Sequence, residues 1–185
     1  VSETTEGVHI HIIDAELMGK GEKEKKDLYI EGIQNNGIIN HYEYIINSEG
    51  TIEIRHVLKP EGKMPLWFPR IGLTLTVSDA LDQVKWYGRG PQENYPDRKT
   101  GYPTGIYAST VQAMYEPYLM PQDYGLRTDV RWLQLTTDKG IGLQFKMNEW
   151  FNFNIYPYST DNLTKAMYTY QLQKQKGMTL NLDYA

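Results

Sequence analysis

Apolar side chains at every second position are the feature that most limits what this sequence can become. Ile71, Leu73, Leu75 and Val77 alternate with Gly72, Thr74 and Thr76, while Val8, Ile10 and Ile12 alternate with His9 and His11. Ile141, Leu143, Phe145 and Met147 repeat the pattern. A period of two is the strand period, and it turns one face of each segment toward a core. The breaks between segments are turn-forming: Asn35-Asn36-Gly37, Ser48-Glu49-Gly50 and Asp138-Lys139-Gly140. The second break makes a hairpin whose return strand sets Ile52 and Ile54 on one face. With "QVKWYG" and "TDVRWLQLTT" added, about ten short strands result, which argues for an all-β sandwich.

One segment leaves this period. In "STDNLTKAMYTYQL" Leu163, Met167 and Tyr170 are spaced i, i+4, i+7, and Ser159 or Thr160 stands where an N-cap belongs. A single short helix is expected there. The 185 residues contain no internal repeat and no linker, which points to one domain over 1–185.

Composition narrows the function classes. The 15 tyrosines against 4 phenylalanines suit half-buried strands and also carbohydrate-binding surfaces. The net charge is −4, and the densest charged run, "KGEKEKKD" at 20–27, mixes both signs. It reads as a solvated loop, so no nucleic-acid partner is expected. No apolar stretch approaches the length of a membrane span, and no membrane partner is expected either. The absence of cysteine excludes disulfides and zinc–thiolate sites, and fits the cytoplasm and the periplasm alike. The opening "VSETTEG" reads as neither signal peptide nor natural start, as in an excised or processed chain.

Chemistry concentrates in "WYGRGPQENYPDRKTGY" at 86–102. Glu93 and Asp97 are carboxylates four positions apart, flanked by Arg89 and Arg98. Glycosidases use two carboxylates around the scissile bond. Against that reading, Gly88, Gly90, Pro91 and Pro96 punctuate a structured turn. A neighbouring arginine also lowers a carboxyl pKa, the wrong direction for a general acid. The two acids are therefore expected to be structural, and no catalytic residue is assigned. His9 and His11 share one strand face at a spacing that suits a metal, but the sequence places no third ligand and no metal is assigned. His41 and His56 are placed to pair across the hairpin, with Glu53 near them. In "NEWFNFNIYPYS" Trp150 and Asn152 point away from Phe151 and Phe153, which suits either a sugar-stacking surface or an exposed sandwich rim.

The stretches "GRGPQENYPDR" (88–98), "YLMPQDYGLRTDVRWLQLT" (118–136) and "NLDYA" (181–185) resemble the C-terminal β-sandwich domain of glycoside hydrolase family 2 β-galactosidases, the β-galactosidase small chain. Gly88, Gly90, Pro91, Glu93, Asn94, Tyr95, Pro96, Asp97 and Arg98 match the first family motif. Pro121, Gln122, Gly125, Arg127, Asp129, Val130, Arg131 and Trp132 match the second. The departures are Asp123 and Tyr124, where the family has Glu and Asn, and Tyr168, where a histidine is expected. The chain also lacks the family's opening W-R-x-P-x-D-N-D and stops before its Gly-rich loop ending in Ser-Trp, so it reads as trimmed at both ends.

The resemblance implies a supersandwich like galactose mutarotase, two large antiparallel sheets with one short helix. It implies a parent enzyme that hydrolyses terminal β-galactosides with retention, through two glutamates on a separate (β/α)₈ barrel with a divalent cation (Mg²⁺) nearby. This chain would then carry no cofactor. It would be inactive alone, lining the substrate cleft and packing against the remaining domains of a homo-oligomeric enzyme. Trp86, Tyr87, Arg89, Asn94, Trp150 and Asn152 are the expected sugar contacts. Glu93, Asp97, Arg98, Arg127, Asp129 and Arg131 are expected to form buried or half-buried ion pairs. An autonomous carbohydrate-binding module and a mutarotase-type epimerase are the alternatives.

Overall fold

A computed structural model describes residues 2–4, 7–17, 37–62 and 64–185. The run at 20–27 and the break at Asn35-Asn36 lie outside them. Backbone contacts divide the chain into two compact units, Val1–Phe68 and Pro69–Ala185. All sheets are antiparallel, as the alternating patterns predict.

The described residues of the first unit form one sheet in the order β1-β2-β3-β4, made of β1 (Ser2–Thr4), β2 (Gly7–Leu17), β3 (Gly37–Ile46) and β4 (Ile52–Glu61). The β3–β4 hairpin turns through Asn47–Thr51, where the Asn47 side chain accepts from the Glu49 and Thr51 amides. Its register sets Tyr42 opposite His56 and His41 opposite Val57. The two histidines thus lie on opposite faces and do not pair, because a cross-strand partner must share a face. His56 instead stacks on Tyr42, ring centroids 4.4 Å apart, and bonds Asn40 Oδ1.

The second unit is the sandwich. One sheet runs β10-β9-β6-β7, from β6 (Gln83–Arg89), β7 (Thr104–Thr110), β9 (Trp132–Thr136) and β10 (Gly142–Phe145). The other runs β5-β12-β11-β8, from β5 (Gly72–Val77), β8 (Arg127–Val130), β11 (Phe151–Tyr156) and β12 (Met178–Tyr184). Alternation decides what goes inside. Val84, Trp86, Leu133 and Leu135 of one sheet meet Val130, Phe151, Phe153, Ile155, Leu180 and Leu182 of the other in one buried cluster. Removing these side chains from water is the main drive for the two sheets to pack.

The expected helix is shorter than its periodicity suggests. α1 spans Thr160–Lys165, with Ser159 as N-cap accepting from the Asn162 amide at 3.1 Å. Ala166 is extended, and a separate 3₁₀ turn follows at Thr169–Gln171. Leu163 is buried, whereas Met167 and Tyr170 are exposed. Leu163 docks into a second cluster with Tyr124 and Tyr156, ringed by Tyr115, Tyr118, Tyr158 and Leu172. Much of the tyrosine excess is used here. Among the described residues no helix is long and apolar enough to cross a membrane.

Candidate functional site

The motif at 88–98 folds against β8, and Gly88 shows why the contact is tight. A Cβ there would lie 2.8 Å from Val130 Cγ2 and 3.2 Å from the Thr128 carbonyl. Only glycine lets β6 and β8 come this close. Asn94 is wholly buried and bonds on every side. Its amide donates to Leu126 O and its Nδ2 to Gln92 O, while its Oδ1 accepts from the Thr128 amide and hydroxyl. It ties the motif to the strand edge from a fully buried position.

Glu93 is likewise consumed by the fold. Its carboxylate accepts from Arg98 Nη2 at 2.6 Å, Tyr95 Oη at 3.1 Å, the Gly125 amide at 2.9 Å and the Tyr118 hydroxyl. Gly125 reaches this position at φ 76°, in the left-handed region. Burial alone pushes Glu93 up, but the bonds from Tyr118, Gly125, Tyr95 and Arg98 outweigh it and hold the carboxyl below its ordinary 4.5. A carboxylate kept ionised this way cannot serve as a general acid. Asp97 is exposed and forms no ion pair among the described residues. The two acids of the motif therefore do not act as a pair.

Arg89 finds its carboxylate forty residues away. Its Nε bonds Asp129 Oδ2 at 2.5 Å, and its Nη1 bonds the carbonyls of Lys99 and Tyr102. Lys99 Nζ takes the other oxygen at 2.7 Å. Asp129 sits at φ 54°, in the left-handed region. Burial raises its pKa, yet Arg89 and Lys99 outweigh that and hold it below its ordinary 3.8.

Arg127 and Arg131 match the family motif but form no ion pairs among the described residues. Arg127 is buried and donates to the carbonyls of Pro91, Gly125 and Leu126, with its guanidinium 5.4 Å from the Trp86 ring centroid. Burial, opposed in part by Glu93 and Glu116, pushes it down to about 10. It stays charged near neutral pH, with carbonyl dipoles in place of a counterion. Arg131 bonds Asp129 O and lies over two rings, 5.1 Å from Tyr87 and 4.1 Å from Trp150.

These positions sort the six expected sugar contacts. Trp86 is 1% exposed; its Nε1 donates to Arg89 O and its ring packs edge-on against Phe153. Asn94 is buried, Arg89 is committed to Asp129, and Asn152 is buried with its Oδ1 accepting from the Asp129 amide. Tyr87 and Trp150 remain, 37% and 52% exposed, bracketing Arg131 on the outer side of the β10-β9-β6-β7 sheet. Trp132 extends the row, 6.4 Å from Tyr87.

A second polar cluster escapes a reading based on motifs. Asn154 and Asn181 bond each other on the outer face of β11 and β12, Asn154 also donates to Asp123, and Arg70 bridges Asp123 and Asp183. Its signal was the alternation in "FNFNIY" and "LNLDY", which places amides and a carboxylate on the face away from the core. Asp123 so keeps a polar role, while Tyr124 packs edge-on against Tyr115. Tyr168 is exposed and stacked on Tyr170 at 5.5 Å. Elsewhere, one ligand atom from each of His9, His11 and Glu43 lies within 4.8 Å of the others, so these three could hold a metal.

Stability of the second unit should fall in acid, and the sign follows from its two depressed carboxyls. Glu93 and Asp129 have folded pKa values below 4.5 and 3.8, so their contribution is present above those values. It is lost as pH falls from about 4.5 through the folded pKa values. Asp183, raised by burial against the pull of Arg70, acts in the opposite sense and blunts the loss. Urea midpoints between pH 3 and 7 should drop below about pH 4.5, and Glu93→Gln should flatten that limb. An unchanged slope in the variant would contradict the assignment.

The second unit is thus an antiparallel β-sandwich module that ties the motif acids Glu93 and Asp129 into its own loops. The chain belongs to the β-galactosidase small chain family, whose model matches residues 5–185. It is 38% identical to a β-galactosidase of Priestia megaterium over 141 residues, 76% of this chain and 14% of that protein. A Vibrio cholerae β-galactosidase is 39% identical over 62% of this chain and 10% of its own length. One from Pseudoalteromonas haloplanktis is 33% identical over 80% and 14%. The chain thus spans a small part of the relatives it matches.

Proposed function

We propose that the chain is an accessory domain of a β-galactosidase, in which the rest of the enzyme hydrolyses terminal β-galactosides and this domain lines the cleft and packs against its neighbours. The observation that carries the reading is the fate of Glu93, the motif carboxylate best placed to look catalytic. It is buried, ionised and fully hydrogen-bonded. Catalytic glutamates, and any Mg²⁺ serving them, would come from another part of the enzyme, which would assemble as a homo-oligomer. The epimerase reading loses support because His41 and His56 lie on opposite faces and Glu53 bonds Arg55. An acid and a base must converge on one substrate.

Within this reading, sugar contact falls to Tyr87 and Trp150, with Arg131 between them. A guanidinium over the two rings pre-orders them, and ring faces suit the C–H side of a pyranose. Trp86, Asn94, Arg89 and Asn152 are expected to support this surface from inside. The exposed stack also favours the binding-module alternative, since it needs nothing outside the chain.

Two assays on the purified protein separate these readings. Hydrolysis of a chromogenic galactoside should be absent; turnover that survives Glu93→Gln would sink the accessory-domain reading. Calorimetric titration with galactose or lactose should give heat only for a binding module. That heat should vanish in Trp150→Ala, while the urea midpoint stays near wild type because the ring is half exposed.

A further inference from the structure

We propose that His9, His11 and Glu43 form a binding site for a borderline divalent cation of the Zn²⁺ type on β2 and β3, the two inner strands of the first unit's sheet. The site follows from register. His11 lies directly opposite Glu43 in the antiparallel β2–β3 pair, and His9, two positions earlier on the same face, reaches Glu43 diagonally. His9 Nδ1 is 3.5 Å and His11 Nε2 3.8 Å from the same oxygen, Glu43 Oε1.

Those lengths exceed good hydrogen bonds, which run about 2.7–3.2 Å. They suit donors sharing one ion, since ligands about 2.0–2.2 Å from a tetrahedral metal stand roughly 3.4 Å apart. All three donors lie within 4.8 Å of one another, so closure needs only side-chain adjustment.

The surroundings aim the donors. Arg55 Nη1 bonds the other carboxylate oxygen, Oε2, at 3.1 Å, and its Nε bonds Glu53 at 2.8 Å. Glu43 is thereby oriented from behind, with Oε1 left facing the two rings, as outer-shell partners orient metal ligands. Among the described residues His9 Nε2 is buried without a hydrogen-bond partner, so the ring is drawn only toward Glu43, through Nδ1. The His11 side chain is 64% exposed and that of His9 14%, which makes His11 the mouth of the site and His9 its floor. Two imidazoles and one carboxylate with an open solvent side match Zn²⁺ and its first-row neighbours. Mg²⁺ and Ca²⁺ prefer oxygen donors. Arg55 weakens the site by its charge while fixing its geometry.

Co²⁺ titrated into chelator-treated protein provides the test, because four-coordinate Co²⁺ absorbs visible light strongly. One Co²⁺ per chain should give such a band, and Zn²⁺ should displace it. Affinity should fall at least about tenfold in His11→Ala and in Glu43→Gln, whose altered groups are partly exposed and whose urea midpoints report folding. His56→Gln, on the opposite face of the sheet, should leave the band intact. Absence of the band in the wild-type protein, or its survival in His11→Ala, would overturn the site.

Discussion

Asp129→Ala is expected to remove about 3–5 kcal/mol of stability, most of it through the cations the carboxylate leaves behind. Arg89 and Lys99 both converge on Asp129 from the folded-over motif, and Arg89 is only partly exposed. Among the described residues neither has a second carboxylate, so each would stay in a half-buried place with its charge unpaired. The backbone adds to the loss. At φ 54° an alanine is strained by about 1–2 kcal/mol, whereas aspartate visits this region more readily. Asp129→Asn should be milder, because asparagine tolerates the same conformation and keeps an acceptor. Urea denaturation of the three proteins checks the order: wild type, then Asn, then Ala. A typical domain has about 5–15 kcal/mol in total, so the Ala variant should approach unfolding. Equal midpoints for Asn and Ala would show that charge alone, without backbone strain, sets the effect.

Trp86→Ala should cost about 3–5 kcal/mol, the range for emptying a large aromatic site in a core. The ring lies between Phe153, Tyr107 and the Arg127 guanidinium, and its Nε1 satisfies the Arg89 carbonyl. Truncation would leave a cavity, an unpaired carbonyl and a buried cation without its ring. Trp86→Phe keeps most of the volume and should lose nearer about 1–2 kcal/mol, chiefly the hydrogen bond and residual space. The comparison also decides a functional point. A tryptophan that contacts sugar from the surface would lose binding and keep stability. This one should lose stability first, in contrast to Trp150.

Local patterns in the sequence were faithful guides to elements. Alternation at Ile71–Val77 and at Phe151–Ile155 became β5 and β11 with the expected faces inward, because strand geometry alone sends neighbours to opposite sides. The turn at Asp138–Gly140 formed as expected, and of the two cap candidates Ser159 took the N-cap, since both features depend on a few adjacent backbone groups. Where two outcomes were locally equivalent, the sequence was a poorer guide. Leu163, Met167 and Tyr170 have helical spacing, yet the helix ends at Lys165. Leu163 enters an aromatic pocket, whereas Met167 and Tyr170 lie exposed and add no burial to extend the helix.

The candidate site divides along the same line. Glu93 and Asp97 look like twins between Arg89 and Arg98, but only Glu93 turns inward, and Arg89 bypasses both for Asp129. Trp86 and Trp150 look alike in sequence, and one is core while the other is surface.

Alternation did not bury every apolar face, since Ile12, Ile52, Ile141 and Leu143 stay exposed. By itself, then, the sequence determined the all-β class, many of the strand and turn positions, the inward faces of β5 and β11, and the family. All of these are written in spacing and motif over a few neighbouring residues. Tertiary structure alone decided which arginine meets which acid, which tryptophan sees water, and that Glu43 joins His9 and His11. Those outcomes depend on register between strands distant in sequence and on how far a loop folds back over a strand edge. Each charge there settles where its desolvation is best compensated.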